Sequence, residues 1–361
     1  MKSRGIFLFL QLTLKYTLYN RPLPFLKFAV QIALRFLMLF LCLHAKAQDV
    51  SIKVLQQGIT YADSSYYDII PVEDKFWIGG KYGTLKSIDA EGNLTNVSYP
   101  SQQLDIYKLD RFDEKTIIAC GDKGIIYKHN LETKVWQTIK VKGYENACFY
   151  NMVVVSESEI YICGGRSAIA HSKKTVPNGF ILKSVDGGIT WKKIYSNPFK
   201  MVWCVKYNPF NKKVYALMYT PNKTHLYELD GEKWQRKNML GNSIFHEIQF
   251  LDADNYVVTG GWMGKTGRIY SNNKKKILPT SGLIWGRVEG NKYDIYSAGN
   301  GQIVVDDKSG NYQVHGVKLN KAFNIYETVF TSDNTAIAIG SARTVLMITI
   351  ADKVKLVMNH L

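Results

Sequence analysis

Two glutamates, Glu247 and Glu327, stand forty residues on either side of Arg287. Facing carboxylates are what a retaining or inverting glycosidase uses. An arginine set between two carboxylates would hold both and damp their repulsion. The equal spacing is that of a repeat, and aligning the repeats extends it into two columns. One reads Tyr67, Tyr107, Tyr150, Trp203, His246, Gly286 and Tyr326. The next reads Asp68, Lys108, Asn151, Cys204, Glu247, Arg287 and Glu327. Aromatics beside mixed charges can pack and hydrate a channel, or can wall and floor a binding mouth. On the second reading, the aromatic and polar members of both columns are candidate binding residues. An insertion in the third repeat, Arg166–Gly179, adds Arg166 and His171, because a loop on a rigid scaffold often carries function.

Other chemistry has little support. No Gly-x-Ser-x-Gly elbow or phosphate-cradling loop occurs. The histidines lack metal-ligand spacing, and the cysteines after residue 47 (Cys120, Cys148, Cys163 and Cys204) form no CxxC pair. No catalytic residue, metal or cofactor is therefore assigned. All four cysteines lie in apolar runs, where a thiol behaves as a small hydrophobe. Buried thiols are expected, with a disulfide left open.

These residues must be held by something regular. A short apolar run ending in glycine recurs, as in Phe76–Gly80, Ile117–Gly121, Tyr161–Gly165, Val257–Gly261, Tyr296–Gly299 and Ile337–Gly340. A seventh copy, Val214–Met218, lacks the glycine. Around each run lie alternating, β-branched and aromatic segments that read as four short strands. Seven such meanders predict an all-β fold, a seven-bladed β-propeller of four-stranded antiparallel blades. The expected blades are 66–99, 105–142, 147–196, 201–240, 244–280, 283–319 and 323–361, within one domain over 48–361.

Residues 1–47 differ from the rest. They carry seven basic side chains and no acid, and end in an apolar run, Phe36–Leu43, followed by Ala45-Lys46-Ala47. That order predicts a secretory signal cleaved after Ala47, no stable membrane span afterwards, and a periplasmic or extracellular monomer. Of 46 basic residues, 39 then remain against 30 acidic, a net charge of +9 in place of +16. The lysines are scattered, apart from Lys274–Lys276, which reads as a solvated turn, so no nucleic-acid partner is expected.

The stretch 184–191, Ser-Val-Asp-Gly-Gly-Ile-Thr-Trp, is the most specific in the chain. Asp186 supplies a turn acceptor, Gly188 the freedom for positive φ, and Trp191 a large apolar face. A hairpin between strands Phe180–Lys183 and Trp191–Tyr195 is predicted. The stretch resembles an Asp-box, or BNR repeat, which implies a structural role for Ser184, Asp186, Gly188, Thr190 and Trp191. The order of apolar run, glycine, loop, strand and box is similar to the propeller of photosystem II stability and assembly factors, within the sialidase-like superfamily. That resemblance implies a ring closed by the strand preceding the first repeat. Ser51–Gln57 and Lys353–Met358 compete for that place. The sialidase Arg-Ile-Pro motif is absent, although Arg166, Arg268 and Arg343 share the loops after the glycine runs. The resulting expectation is an exported non-enzymatic propeller that binds a protein or serves an assembly through one face. The alternative is a carbohydrate-active protein, either a glycan binder or a diverged hydrolase.

Overall fold

Alternation and β-branched content make the chain a succession of short strands, and each sheet buries its two faces against the next. The computed structural model describes residues 48–59, 65–99, 104–166, 178–220, 223–262, 266–271, 274–317 and 323–352. One strand, β1 (Gln48–Gln56), precedes the repeats. Blade 1 is β2–β5 (Tyr66–Val72, Lys75–Gly80, Thr84–Ile88, Leu94–Asn96). Blade 2 is β6–β9 (Ile106–Arg111, Thr116–Gly121, Ile125–Asn130, Trp136–Lys140). Blade 3 is β10–β13 (Ala147–Val154, Ile160–Arg166, Gly179–Ser184, Lys192–Asn197). Blade 4 is β14–β17 (Met201–Asn208, Lys213–Thr220, Lys223–Asp230, Lys233–Gly241). Blade 5 is β18–β21 (Ile244–Phe250, Tyr256–Gly261, Gly267–Ser271, Lys274–Ile277). Blade 6 is β22–β25 (Ile284–Glu289, Asp294–Ala298, Gln302–Asp306, Tyr312–Gly316). Blade 7 is β26–β28 (Ile325–Ser332, Thr335–Gly340, Val345–Asp352), with β1 as its outer strand.

The fold is thus a seven-bladed propeller of four-stranded antiparallel sheets. Its first strands touch in a closed circle, from β2 through β6, β10, β14, β18, β22 and β26 back to β2. The core is divided accordingly into seven clusters, each shared by two successive blades. The N-terminal strand takes the outer place in blade 7, and Lys353–Met358 lies outside the described residues. Lys274–Lys276 proves to be most of β21, an exposed outer strand, not a turn. Lysines there deter pairing with another sheet edge. The four cysteines are buried and free.

The hairpin at 184–191 closes on its own side chains. Asp186 accepts from the N–H groups of Ile189 and Thr190 at 3.1 and 2.9 Å and from Thr190 Oγ1 at 2.5 Å. These bonds, the Thr190 hydroxyl foremost, hold its carboxyl down at about 2. Ser184 Oγ accepts from Gly188 N at 2.7 Å, and both Gly187 and Gly188 have positive φ. Trp191 lies just before β13, with its ring against the cluster between blades 2 and 3.

The recurring glycine has a physical cause. In all seven blades the first strand carries a β-bulge near its start. The residue across the ladder, just before the bulge, is Gly80, Gly121, Gly164, Gly260 or Gly340 in five of them. A Cβ at these glycines would lie 1.8–2.4 Å from the carbonyl oxygen of Ser65, Asp105, Cys148, Ile244 or Asn324. The glycine lets the bulged backbone approach. Gly121 is the tightest, at 1.8 Å from Asp105 O. Gly121→Ala is expected to lower stability by about 2–3 kcal/mol, as overpacking against rigid backbone does. Its urea midpoint tests this.

Candidate functional site

Each bulge leaves one residue of the first strand unpaired and turns it toward the axis. These residues are Tyr67, Tyr107, Tyr150, Trp203, His246, Trp285 and Tyr326. Their rings form an unbroken annulus. Centroid separations are 4.9 Å for Tyr67–Tyr107, 6.1 Å for Tyr107–Tyr150 and 5.3 Å for Tyr150–Trp203. They continue at 5.9 Å for Trp203–His246, 4.6 Å for His246–Trp285 and 5.0 Å for Trp285–Tyr326, and Tyr326–Tyr67 closes the circle at 6.0 Å. All seven are half-buried.

The annulus stands at the end of the channel where the second strands finish. Tyr150 Oη donates to Arg166 O at 2.9 Å, at the end of β11, and Tyr107 Oη donates to Asp105 at 3.1 Å. Arg166 is therefore beside the mouth, whereas His171 lies outside the described residues. Trp203 Nε1, His246 Nε2 and Trp285 Nε1, on successive blades, are buried and have no hydrogen-bond partner among the described residues. Burial holds His246 down to about 4, so its imidazole is neutral near pH 7.

The charged level lies one residue further along. Asp68 accepts from Lys108 Nζ at 2.7 Å and from Leu109 N at 2.6 Å, which binds blade 1 to blade 2. Asn151 accepts from Val205 N at 3.3 Å, the same bridge from blade 3 to blade 4. These acceptors satisfy N–H groups on the channel edge of a first strand, which no further strand can reach. Lys206 pairs with Glu247 at 3.3 Å. Burial alone would lower the Lys108 ammonium, but Asp68, with help from Glu327 and Glu247, raises it above the ordinary range.

The sixth blade corrects the columns. Its bulge falls between Ile284 and Gly286, so Trp285 belongs to the annulus and Gly286 to the charged level. The interval is 39 residues from His246 to Trp285 and 41 from there to Tyr326, so counting forty from Glu247 overshoots by one. A slip of one residue turns a strand side chain to the other face. Arg287 consequently does not sit between Glu247 and Glu327. It occupies the next level, where other blades place buried Ile69, Leu109, Met152, Val205 and Ile248. Its guanidinium meets Asp294 at 2.6 Å, with Gln249 and Glu289 beside it.

Over Gly286 the two glutamates converge directly. A Cβ there would lie 3.3 Å from Glu247 Oε2 and 3.4 Å from Glu327 Oε1. Burial, then the Glu247 carboxylate, pushes Glu327 well above the usual carboxylate range, and Lys108 opposes this. Among the described residues no group of three or more His, Cys, Asp or Glu could hold a metal ion.

No family model and no curated protein sequence matches the chain. Solved structures do. YCF48 bound to D1 peptide is 11% identical with a TM-score of 0.61, over 84% of this chain and 97% of that one. YCF48 from Cyanidioschyzon merolae is 13% identical with a TM-score of 0.61, over 82% and 98%. Virginiamycin B lyase from Staphylococcus aureus is 11% identical with a TM-score of 0.64, over 84% and 100%. At such identities the likeness is one of fold, and the fold shared is the seven-bladed propeller.

Proposed function

We propose that this chain is an exported, non-enzymatic propeller that binds a partner polypeptide through the aromatic mouth. The observation that carries the reading is the closed annulus, with unbonded nitrogens at Trp203, His246 and Trp285. A buried polar atom left without a partner is costly, and a peptide backbone brings both donors and acceptors. Aromatic side chains that offer apolar faces with a polar handle are what peptide-binding surfaces favour. YCF48 bound to D1 peptide is a structure of similar fold with a peptide partner, which supports the reading. Export rests on the leader, and the Asp-box reading of 184–191 makes that hairpin scaffold.

Photo-crosslinking tests the reading. A benzophenone amino acid at Tyr67 or Tyr326 should trap a polypeptide in native envelope extract. The same group at Ile189, on a turn at the other end of the blades, should not. Equal trapping from both positions would sink the proposal.

A second reading is favoured by the convergence of Glu247 and Glu327, which a diverged glycoside hydrolase would need. It requires turnover of an aryl glycoside that is lost in Glu247→Gln and in Glu327→Gln.

A further inference from the structure

We propose that the mouth is built for one organic cation, the side chain of a lysine or arginine in the partner. Its stem would lie within the annulus and its head against Glu247 and Glu327, from the channel side. This rests on the polypeptide-binding reading above and specifies which residue enters.

Three observations lead there. The first is the set of charges that line the channel. Asp68, Asp110, Glu247 and Glu327 stand there with Lys108 and Lys206, while the other charged groups of the first strands, Arg111, Arg287 and Glu289, are engaged away from it. Lys108 is taken by Asp68 at 2.7 Å and Lys206 by Glu247 at 3.3 Å. Asp110 accepts from the N–H groups of Val154 and Arg111. Glu327 has no direct ion pair or hydrogen bond with a described residue. Burial and Glu247 keep a proton on it in the free protein, and an entering cation would displace that proton.

The second is convergence. At this level the other blades contribute Asp68, Lys108, Asn151, Cys204, Glu247 and Glu327, and blade 6 contributes only the hydrogen of Gly286. Glu247 and Glu327 lean into the place a side chain there would take, beside Tyr326 O, so a head group arriving along the channel would meet both carboxyl groups on their channel side. Solvent reaches this depth, because the Glu247 side chain keeps 22% of its exposure.

The third is the annulus itself. Ring faces attract cations, more strongly as water is excluded. A lysine or arginine stem is apolar and can line such a ring while its head stays charged. Two carboxylates alone make a poor cage for a metal ion, and Lys206 on Glu247 would repel one. A flexible organic cation needs no rigid coordination.

The test uses the intact protein and pools of random nonapeptides that share a fixed central residue, read by fluorescence polarisation. The central residue is lysine, arginine, norleucine or glutamate. Lysine and arginine pools should bind at least about tenfold more tightly than norleucine, the uncharged near-isostere of lysine. Glu327→Gln should erase that preference, bringing the lysine and arginine pools down to the level of the norleucine pool. Equal binding of lysine and norleucine pools, or preference for glutamate, would overturn the inference and leave the polypeptide reading standing. Binding of no pool would overturn both. Should Glu327→Gln fail to fold, Glu247→Gln supplies the same comparison.

Discussion

Asp68→Ala should be the most damaging single change at the channel, costing about 3–5 kcal/mol, the range for breaking a buried ion pair by deleting one partner. The carboxylate is nearly inaccessible, at 3% side-chain exposure, and holds two groups of the next blade. Its loss strands the Lys108 ammonium, 16% exposed, and the Leu109 N–H together. Leaving such groups unpaired costs more than the pair contributes when intact. Asp68→Asn separates the two roles, since an amide oxygen can still accept from Leu109 N but cannot neutralise Lys108. Denaturant midpoints should therefore fall in the order wild type, Asn, Ala. Coincident midpoints for Asn and Ala would assign the whole effect to charge, and an unchanged Ala variant would remove Asp68 from the inter-blade bridge.

Arg287→Ala should cost a similar amount, about 3–5 kcal/mol, for a reason unrelated to the mouth. Its side chain is 6% exposed and that of Asp294 is 8% exposed. With the guanidinium gone, Asp294 loses its close partner and keeps Lys308 at 3.7 Å. An apolar pair of similar size, Arg287→Met with Asp294→Leu, should recover most of the loss, because the level it occupies is aliphatic in most other blades. Peptide binding by the recovered double variant should match wild type. If that variant stays as unstable as Arg287→Ala, the pair is not the source of the effect.

These residues show where sequence reasoning worked and where it stopped. The blades were legible because the glycine runs and alternating strands repeat, and both follow from backbone geometry common to every blade. Six members of the annulus were legible for the same reason. Trp285 was not, because spacing was counted from Glu247 across a connection one residue short. A local signal was available. Each annulus residue directly follows an apolar one (Tyr66, Ile106, Phe149, Val202, Phe245, Ile284 and Ile325) and itself carries an aromatic or imidazole ring, and that pattern selects Trp285 over Gly286. The meeting of Glu247 and Glu327 over Gly286 was beyond reach, since it depends on the side chain that blade 6 lacks. Ring closure was also undecidable, because the two terminal segments have comparable strand character.

Closure by β1 sets an order of events. Synthesis delivers β1 first, yet its place beside β28 does not exist until nearly three hundred residues later. Pairing so distant in sequence is slow to form, and a growing chain folds from its beginning. Six blades can assemble while the opening strand waits and the gap between blades 6 and 1 stays unfilled. Until the last sheet arrives, apolar side chains of blades 1 and 6 face water, which makes this interval the one in which a chaperone or an aggregating neighbour can act. Trimming either end therefore does not yield a smaller ring. It yields an open arc with two unprotected flanks.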